Sequence, residues 1–480
     1  MARVATIVAL ALLVTAPSAA ARDVIAEVVT GERLGQVLGR GAAGLYVPGQ
    51  GLYVSRQEAL ELLGELPNVP CGELARCEYE VFVSVPPLAA QPNDRRYQVA
   101  ILGGDYDGIL VSDSTRIPGL VSIADIRETV EALDEGRDPP LEWRAVDHPV
   151  RQLQRLDARL DDAREAQTPA TVALALTLIA LVAGALATRS SLLARGALLY
   201  PLAALALGLA GAAVEQVGPR VTTFLMLAAA PLAAVLARAA PLTLSVPVLL
   251  GAYGLVLASS PETNALMAIG PHPWSGGRFY GVTNQVETML LAPTLAAAVS
   301  LGGWRLVALG LLALVTVGAS ATGADGGGVV VFASALVVLW LLLRGGVRTL
   351  PWTIAAVLAV AGGFVGLDAL AGGSSHVVDA AGEGPGDLLE TFSERLQRSG
   401  SIVTSTLWQF AAFAGGLAVL AWFAVQRPRF AVVDAFLVAI AVSLVVNDSP
   451  TKVAGFAAIM CGALRAWAVS REAAGIESRA

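Results

Sequence analysis

Three short polar segments interrupt the apolar carboxy-terminal part of this chain, and their residue types are those of binding and proton-transfer sites. The first runs Pro271-His272-Pro273-Trp274-Ser275-Gly276-Gly277-Arg278-Phe279-Tyr280-Gly281-Val282-Thr283-Asn284 and leads into a helical pattern bearing Glu287. Asn284, Glu287 and Leu291 recur at spacings of three and four, so they share one helical face where an apolar run begins. A carboxylate one turn inside an apolar helix is costly to leave unpaired, and Arg278 is the nearest basic residue in sequence. One chemistry is an anion site lined by Arg278, Tyr280 and Asn284, with Glu287 orienting the guanidinium. The other is a structural clamp in which Arg278 and Glu287 hold a re-entrant loop.

The second segment is Gly323-Ala324-Asp325-Gly326-Gly327-Gly328. Its glycines permit close backbone approach to a ligand or to another helix, and Asp325 adds an outward-facing carboxylate. The third is Asn447-Asp448-Ser449-Pro450-Thr451-Lys452, which contains the one Lys of a chain with 32 basic side chains. Asn447, Asp448 and Lys452 crowd a hairpin between two apolar runs, where they suit a cation, a phosphate or an acid and base pair. Alternatively Asp448 or Ser449 caps the following helix, with Pro450 at its first position.

The elements that must position these segments are membrane helices. Residues 1–170 hold 41 charged side chains, whereas residues 171–470 hold 26. So weakly charged a stretch has too little polar material to cover a water-soluble surface. It parses into about eleven spans of roughly 17 to 22 residues, the length that crosses ~30 Å of hydrocarbon. Their centres are Ile179, Ala204, Ala228, Leu250, Pro293, Ala313, Leu336, Val360, Leu417, Leu437 and Ala458. If the first span enters from outside, inward loops and tail carry 11 basic residues and outward loops 5. That bias predicts a cytoplasmic carboxy terminus and puts all three polar segments outside.

Residues 1–22 read as a secretory signal, with Arg3, an apolar run from Val4 to Val14, Pro17 and a small-residue stretch to Ala21. An uncleaved first helix is the alternative. Residues 23–142 form one exported α/β domain, with strands at 43–47, 79–85, 97–102 and 109–111 and helices at 55–66 and 123–133. Residues 23–170 hold 25 acidic side chains and 14 Arg, so this part repels an anionic membrane surface. Cys71 and Cys77 either form a disulfide or are buried thiols. Residues 143–169 are a linker, in which Val150, Leu153, Leu156, Leu160 and Ala163 recur at helical spacing. They fit a stalk into the membrane or a helix packed on the domain. The bundle occupies 170–470 and a cytoplasmic tail 471–480.

Between about 371 and 403 the longest outward loop predicts an amphipathic helix, with Leu388, Leu389, Phe392 and Leu396 as its apolar stripe. Asp368 and Asp434, nearer span interiors, are either proton-linked or hydrogen-bonded to a neighbouring helix. His272 and His376 are isolated, no spacing of His, Cys and carboxylate matches a zinc cage, and no cofactor is expected. A net charge of −7 also argues against nucleic-acid binding.

Arg278-Phe279-Tyr280-Gly281-Val282-Thr283-Asn284, the Asp325 turn and Asn447-Asp448-Ser449 together resemble the markers of an uncharacterised family of polytopic membrane proteins from high-GC Gram-positive bacteria. Those relatives often read Gly-Asn where this chain has Thr283-Asn284. The resemblance covers the membrane half and implies no particular activity. In the exported domain, the segment from Ser114 to Ile126 is similar to the closing part of alkaline-phosphatase and sulfatase superfamily domains. That superfamily's nucleophile and its His and Asp metal ligands have no counterpart here, so the likeness implies a reduced, non-catalytic descendant.

The sequence thus points to an α-helical polytopic plasma-membrane protein of the cell envelope, in contact with membrane lipids. Its outward site, Arg278, Tyr280, Asn284, Glu287, Asp325, Asn447, Asp448 and Lys452, would bind and process an anionic or lipid-linked envelope precursor. Two other functions fit the same residues. One is a secondary transporter with these residues as its outer gate. The other is a non-enzymatic scaffold whose polar motifs stabilise helix ends.

Overall fold

A computed structural model describes residues 24–29, 34–35, 37–49, 53–64, 78–276, 278–344, 350–370, 397, 399–401, 403–447 and 449–475. The chain divides into two compact units, Met1–Leu160 with His272–Phe279, and Asp161–Pro271 with Tyr280–Ala480.

In the first unit the chain forms β1 (Val24–Val29), β2 (Ala42–Tyr46), β3 (Tyr53–Val54), α1 (Arg56–Leu63), β4 (Tyr79–Ser84), β5 (Gln91–Pro92), β6 (Tyr97–Gly103), β7 (Gly108–Ser112), β8 (Leu120–Val121), α2 (Ile123–Glu135) and β9 (Leu141–Arg144). Among the described residues the main sheet runs β1-β4-β6-β2-β7-β9, with β8 alongside β2. The β1/β4 and β2/β7 pairs are parallel, whereas β6 is antiparallel to both β4 and β2. Val81, Val83, Val99, Ile101, Leu110 and Val121 give the sheet an apolar core, which α2 covers with Ile126, Val130 and Leu133. Each helix begins on a serine cap: Ser55 and Glu58 make a reciprocal capping box, and Ser122 accepts from Ala124 N. The strands expected at 43–47, 79–85, 97–102 and 109–111 and both expected helices are present, while β1, β3, β5, β8 and β9 add to the expected set.

Tyr46 is fully buried and donates its hydroxyl to Ser84 O, tying β2 to β4 across β6. Burial, with the Tyr97 phenol beside it, pushes the Tyr46 phenol well above its ordinary value. The Ser112 and Ser114 hydroxyls both donate to the Asp125 carboxylate, so the acid in the first turn of α2 closes the β7–α2 connection. Gly276 takes a left-handed conformation with φ +68, and any Cβ there would press on the Gly49 carbonyl at 2.5 Å.

The expected linker, 143–169, begins inside β9 and from Pro149 is the start of a long helix, α3 (Pro149–Thr188). Its first turns belong to the first unit: Arg96 Nε donates to Asp157 Oδ1 at 2.6 Å, and Leu153 and Leu156 close on Gly119. Leu153, Leu156 and Leu160 are buried in the first unit, so this part of the sequence's apolar stripe packs on the domain, and Ala163, in the second unit, is buried as well.

The second unit continues with α4 (Ser191–Ala213), α5 (Pro219–Ala239), α6 (Leu242–Ser259), α7 (Pro261–Ala265), α8 (Asn284–Leu301), α9 (Gly303–Gly318), α10 (Gly326–Leu343), α11 (Leu350–Leu370), α12 (Leu407–Val425), α13 (Ala431–Val446) and α14 (Pro450–Ala473). Every one of the eleven expected span centres falls inside a helix. Among the described residues eight helices are long and apolar enough to cross a membrane, the composition of a multi-pass membrane protein, and α9 and α13 are shorter apolar helices of 16 residues each. The middle of the unit is α8, which packs against α4, α6, α9, α10, α13 and α14. Its Ala292, Ala296, Ala297 and Ala298 are completely buried, because small side chains let neighbouring helices approach closely.

The signal segment, Cys71, Cys77, Arg348, Asp448 and the amphipathic stretch within 371–396 with His376 lie outside the described residues.

Candidate functional site

The end of the first polar segment, from Gly281 to Glu287, the glycine-rich turn and Asn447 of the third segment meet in the second unit around the start of α8. Glu287 lies in the first turn of that helix, where the free amides favour a negative charge. It is completely buried, and Asn447 Nδ2 at the end of α13 donates to its Oε2 at 2.9 Å. The same nitrogen donates to Ser443 Oγ at 2.8 Å, which fixes the rotamer of the Asn447 carboxamide. Its oxygen is then turned towards the start of α10. A Cβ on Gly327 would collide with Asn447 Oδ1 and lie 3.6 Å from Asp325 Oδ1, so the two oxygens flank one point that only glycine leaves open.

Asp325 caps α10 by accepting from Gly328 N at 3.2 Å. It is 2% exposed, so the carboxylate expected to face outward is enclosed instead. The glycine-rich turn is joined to the first segment through main chain: Val282 N donates to Gly323 O at 2.8 Å, and Gly281, at φ +87, has no room for a side chain against that same carbonyl. From the other side Asn264 Nδ2 donates to Gly281 O at 2.8 Å, and Tyr253 OH donates to Asn264 Oδ1 at 3.0 Å. Thr283 caps α8 by accepting from Val286 N.

Of the residues expected to form the site, Asn284, Glu287, Asp325 and Asn447 are all buried in this nest or beside it. Tyr280 is half-buried immediately before pinned Gly281. Lys452 is exposed on the first turn of α14, five residues beyond Asn447. Arg278 falls in the first unit, two residues before the second unit resumes at Tyr280. Ser449 makes no side-chain cap to α14, whereas Pro450 does open that helix. Asp434 is bidentate with Arg429, at 2.9 and 3.1 Å, and Asp368 accepts from the Ser320 amide at 3.2 Å. Each of these two carboxylates therefore serves a loop beside a helix end.

Sequence reasoning missed Asn264, Tyr253 and Ser443. Each is a single polar residue in an apolar run, with no spacing to link it to the motifs. The signal that could have found them is cost: a lone Asn or Tyr hydroxyl inside a bundle must be hydrogen-bonded.

Chemically, the nest gathers two carboxylates, two carboxamides and hydroxyls at one end of the bundle. These groups suit hydrogen bonding, and the nest itself is poor in positive charge. Among the described residues no group of three or more His, Cys, Asp or Glu is placed to hold a metal ion. No protein-family model, curated protein or solved structure matches this chain.

Proposed function

We propose that this is a plasma-membrane protein of the cell envelope with eleven crossings, its N-terminal α/β domain outside and its carboxy terminus in the cytoplasm, which binds an anionic, lipid-linked envelope precursor at its outer rim. The observation that carries the reading is the Asn447 to Glu287 bond, which brings together segments 160 residues apart at one end of the bundle. Glu287 and Asp325 are enclosed and would repel an anion, so they act as positioning residues that fix the rim. Tyr280 and Lys452, on the turns so fixed, are the groups that meet the precursor. Loop charge supports the orientation, and the secretory signal supports the placement of the domain.

The test is substitution of Lys452→Ala, Tyr280→Phe and Arg278→Ala in the producing bacterium, with folded protein and lipid-linked envelope intermediates measured together. Accumulation of an intermediate at normal protein level supports the reading. Normal envelopes in all three variants at normal protein level remove it.

Proton-linked transport is a second reading, favoured by the complete burial of Glu287 in a helical unit. Solute uptake by the intact protein that stops when the proton gradient is dissipated, and stops equally in Glu287→Gln, would select it.

A further inference from the structure

The end of the bundle away from the polar nest carries a different chemistry. Helices α9 and α10 are joined through the 319–325 turn that contains Asp325, and they pack as an antiparallel pair. Gly318 faces Val329, and a Cβ on Gly310 would lie 2.9 Å from Leu336 Cδ1. Continuing that register brings Trp304 and Arg305, at the start of α9, level with Trp340 and Arg344, at the end of α10.

All four side chains are exposed. Trp304 is 74% exposed and Trp340 39% exposed. The Arg305 guanidinium carbon lies 5.9 Å from the Trp304 ring centroid, and that of Arg344 lies 4.4 Å from Trp340. Neither arginine makes an ion pair among the described residues. A guanidinium stacked on indole keeps its N–H edge open, and that edge matches two oxygens of a phosphodiester. Gly302 gives the start of α9 no side-chain cap, so the first amides of that helix add positive potential to the same place. Arg471, stacked on Trp467 and donating to Ser300 just before α9, marks the same end of the bundle.

Depth selects the occupant. The 18 residues of α10 separate Asp325 from Arg344, and at ~1.5 Å per residue they span about 27 Å, close to the ~30 Å of a hydrocarbon core. Tryptophan and arginine at that depth sit at the headgroup level, beside the phosphates of the leaflet.

We propose that Trp304, Arg305, Trp340 and Arg344 form a docking site for the headgroup of an anionic phospholipid, with the phosphodiester on the two guanidiniums and the indoles at the acyl boundary. The proposal rests on the membrane-spanning reading of α9 and α10 and is independent of what the polar nest binds, so its failure leaves the Lys452 and Tyr280 tests untouched.

The experiment uses the full chain in nanodiscs containing a matched fraction of brominated phosphatidylglycerol or brominated phosphatidylcholine. Tryptophan quenching is compared with that of Trp304→Phe/Trp340→Phe, which isolates the two indoles among the 8 in the chain. Phosphatidylglycerol should be enriched roughly thirtyfold over phosphatidylcholine at these indoles, the order expected for two arginines at an anionic surface. The enrichment should vanish in Arg305→Gln/Arg344→Gln, which keeps both reporters. Equal quenching by the two lipids in the intact protein overturns the proposal whether or not that variant folds, and so does enrichment that survives it. Relief of the excess by millimolar inorganic phosphate would show a free-phosphate site instead and would also overturn it.

Discussion

Asn447 Nδ2 donates to Glu287 Oε2 at 2.9 Å, joining the end of α13 to the first turn of α8 across 160 residues of sequence. Both partners are buried, so removing either leaves a polar group in an apolar bundle. Hydrogen bonds to charged groups contribute about 1.5–3 kcal/mol. Asn447→Leu and Glu287→Leu should each destabilise the protein by that order in detergent. The double variant should cost less than the sum, because it leaves neither partner stranded. Glu287→Gln keeps an acceptor for Asn447 and should be milder than Glu287→Leu. Additive losses in chemical denaturation would show that the two side chains are not coupled.

Gly327 is a second point of contact in the nest. A methyl group there would fall on Asn447 Oδ1 and beside Asp325. Gly327→Ala should therefore destabilise by about 1–3 kcal/mol, the usual cost of overpacking. Helix propensity alone would predict the opposite, since Ala is favoured over Gly in a helix. Shortening the opposing side chain should recover part of the loss, so Gly327→Ala/Asn447→Ser should melt above the sum of the single effects. A Gly327→Ala protein that melts at or above the parent would contradict the close approach.

How much of this could be read from the sequence depends on the range of the interaction. Strand positions 79–84 and 97–103 announce themselves because β-branched and aromatic residues fill both faces of central strands. The four residues of β9 offer only Leu141 to the core, too little pattern to register. All eleven expected centres fall inside helices, because a long apolar run registers in composition alone. The partner of Glu287 was not legible. Arg278 is nearest to it in sequence, but Asn447 reaches it through packing of α13 on α8, which no spacing encodes. Asp325 misled for a related reason: a glycine-rich turn looks open in sequence, yet Gly281, Gly323 and Gly327 are small because other chain segments lie against them.

In the α/β domain, the buried phenols give a pH prediction. Tyr46 and Tyr106 donate to Ser84 O and Leu141 O, and burial raises both above the ordinary value of 10.0. In the unfolded chain they ionise at that ordinary value, so above it the unfolded state is favoured. The stabilising contribution is complete below pH 10.0 and is lost as the pH rises towards the folded values. Proteolysis of the intact protein should therefore cut within residues 78–144 increasingly above that pH. Tyr46→Phe should be less stable at neutral pH, having lost its bond to Ser84, yet show a shallower alkaline loss. Equal pH dependence in parent and variant would sink the assignment.

Gln285, beside Asn284 in the first turn of α8, is 6% exposed, and its Nε2 finds no partner among the described residues. A buried amide left unsatisfied costs about 1–3 kcal/mol. If nothing else engages it, Gln285→Leu should raise the melting temperature in detergent, since leucine fills a similar volume without a stranded donor. If the amide serves a ligand of the nest, the same variant should melt higher and yet lose the envelope or uptake phenotype assigned above. Higher stability with full activity would confine Gln285 to packing. Lower stability would mean that its amide is engaged in the folded protein, and the account of this turn would have to change.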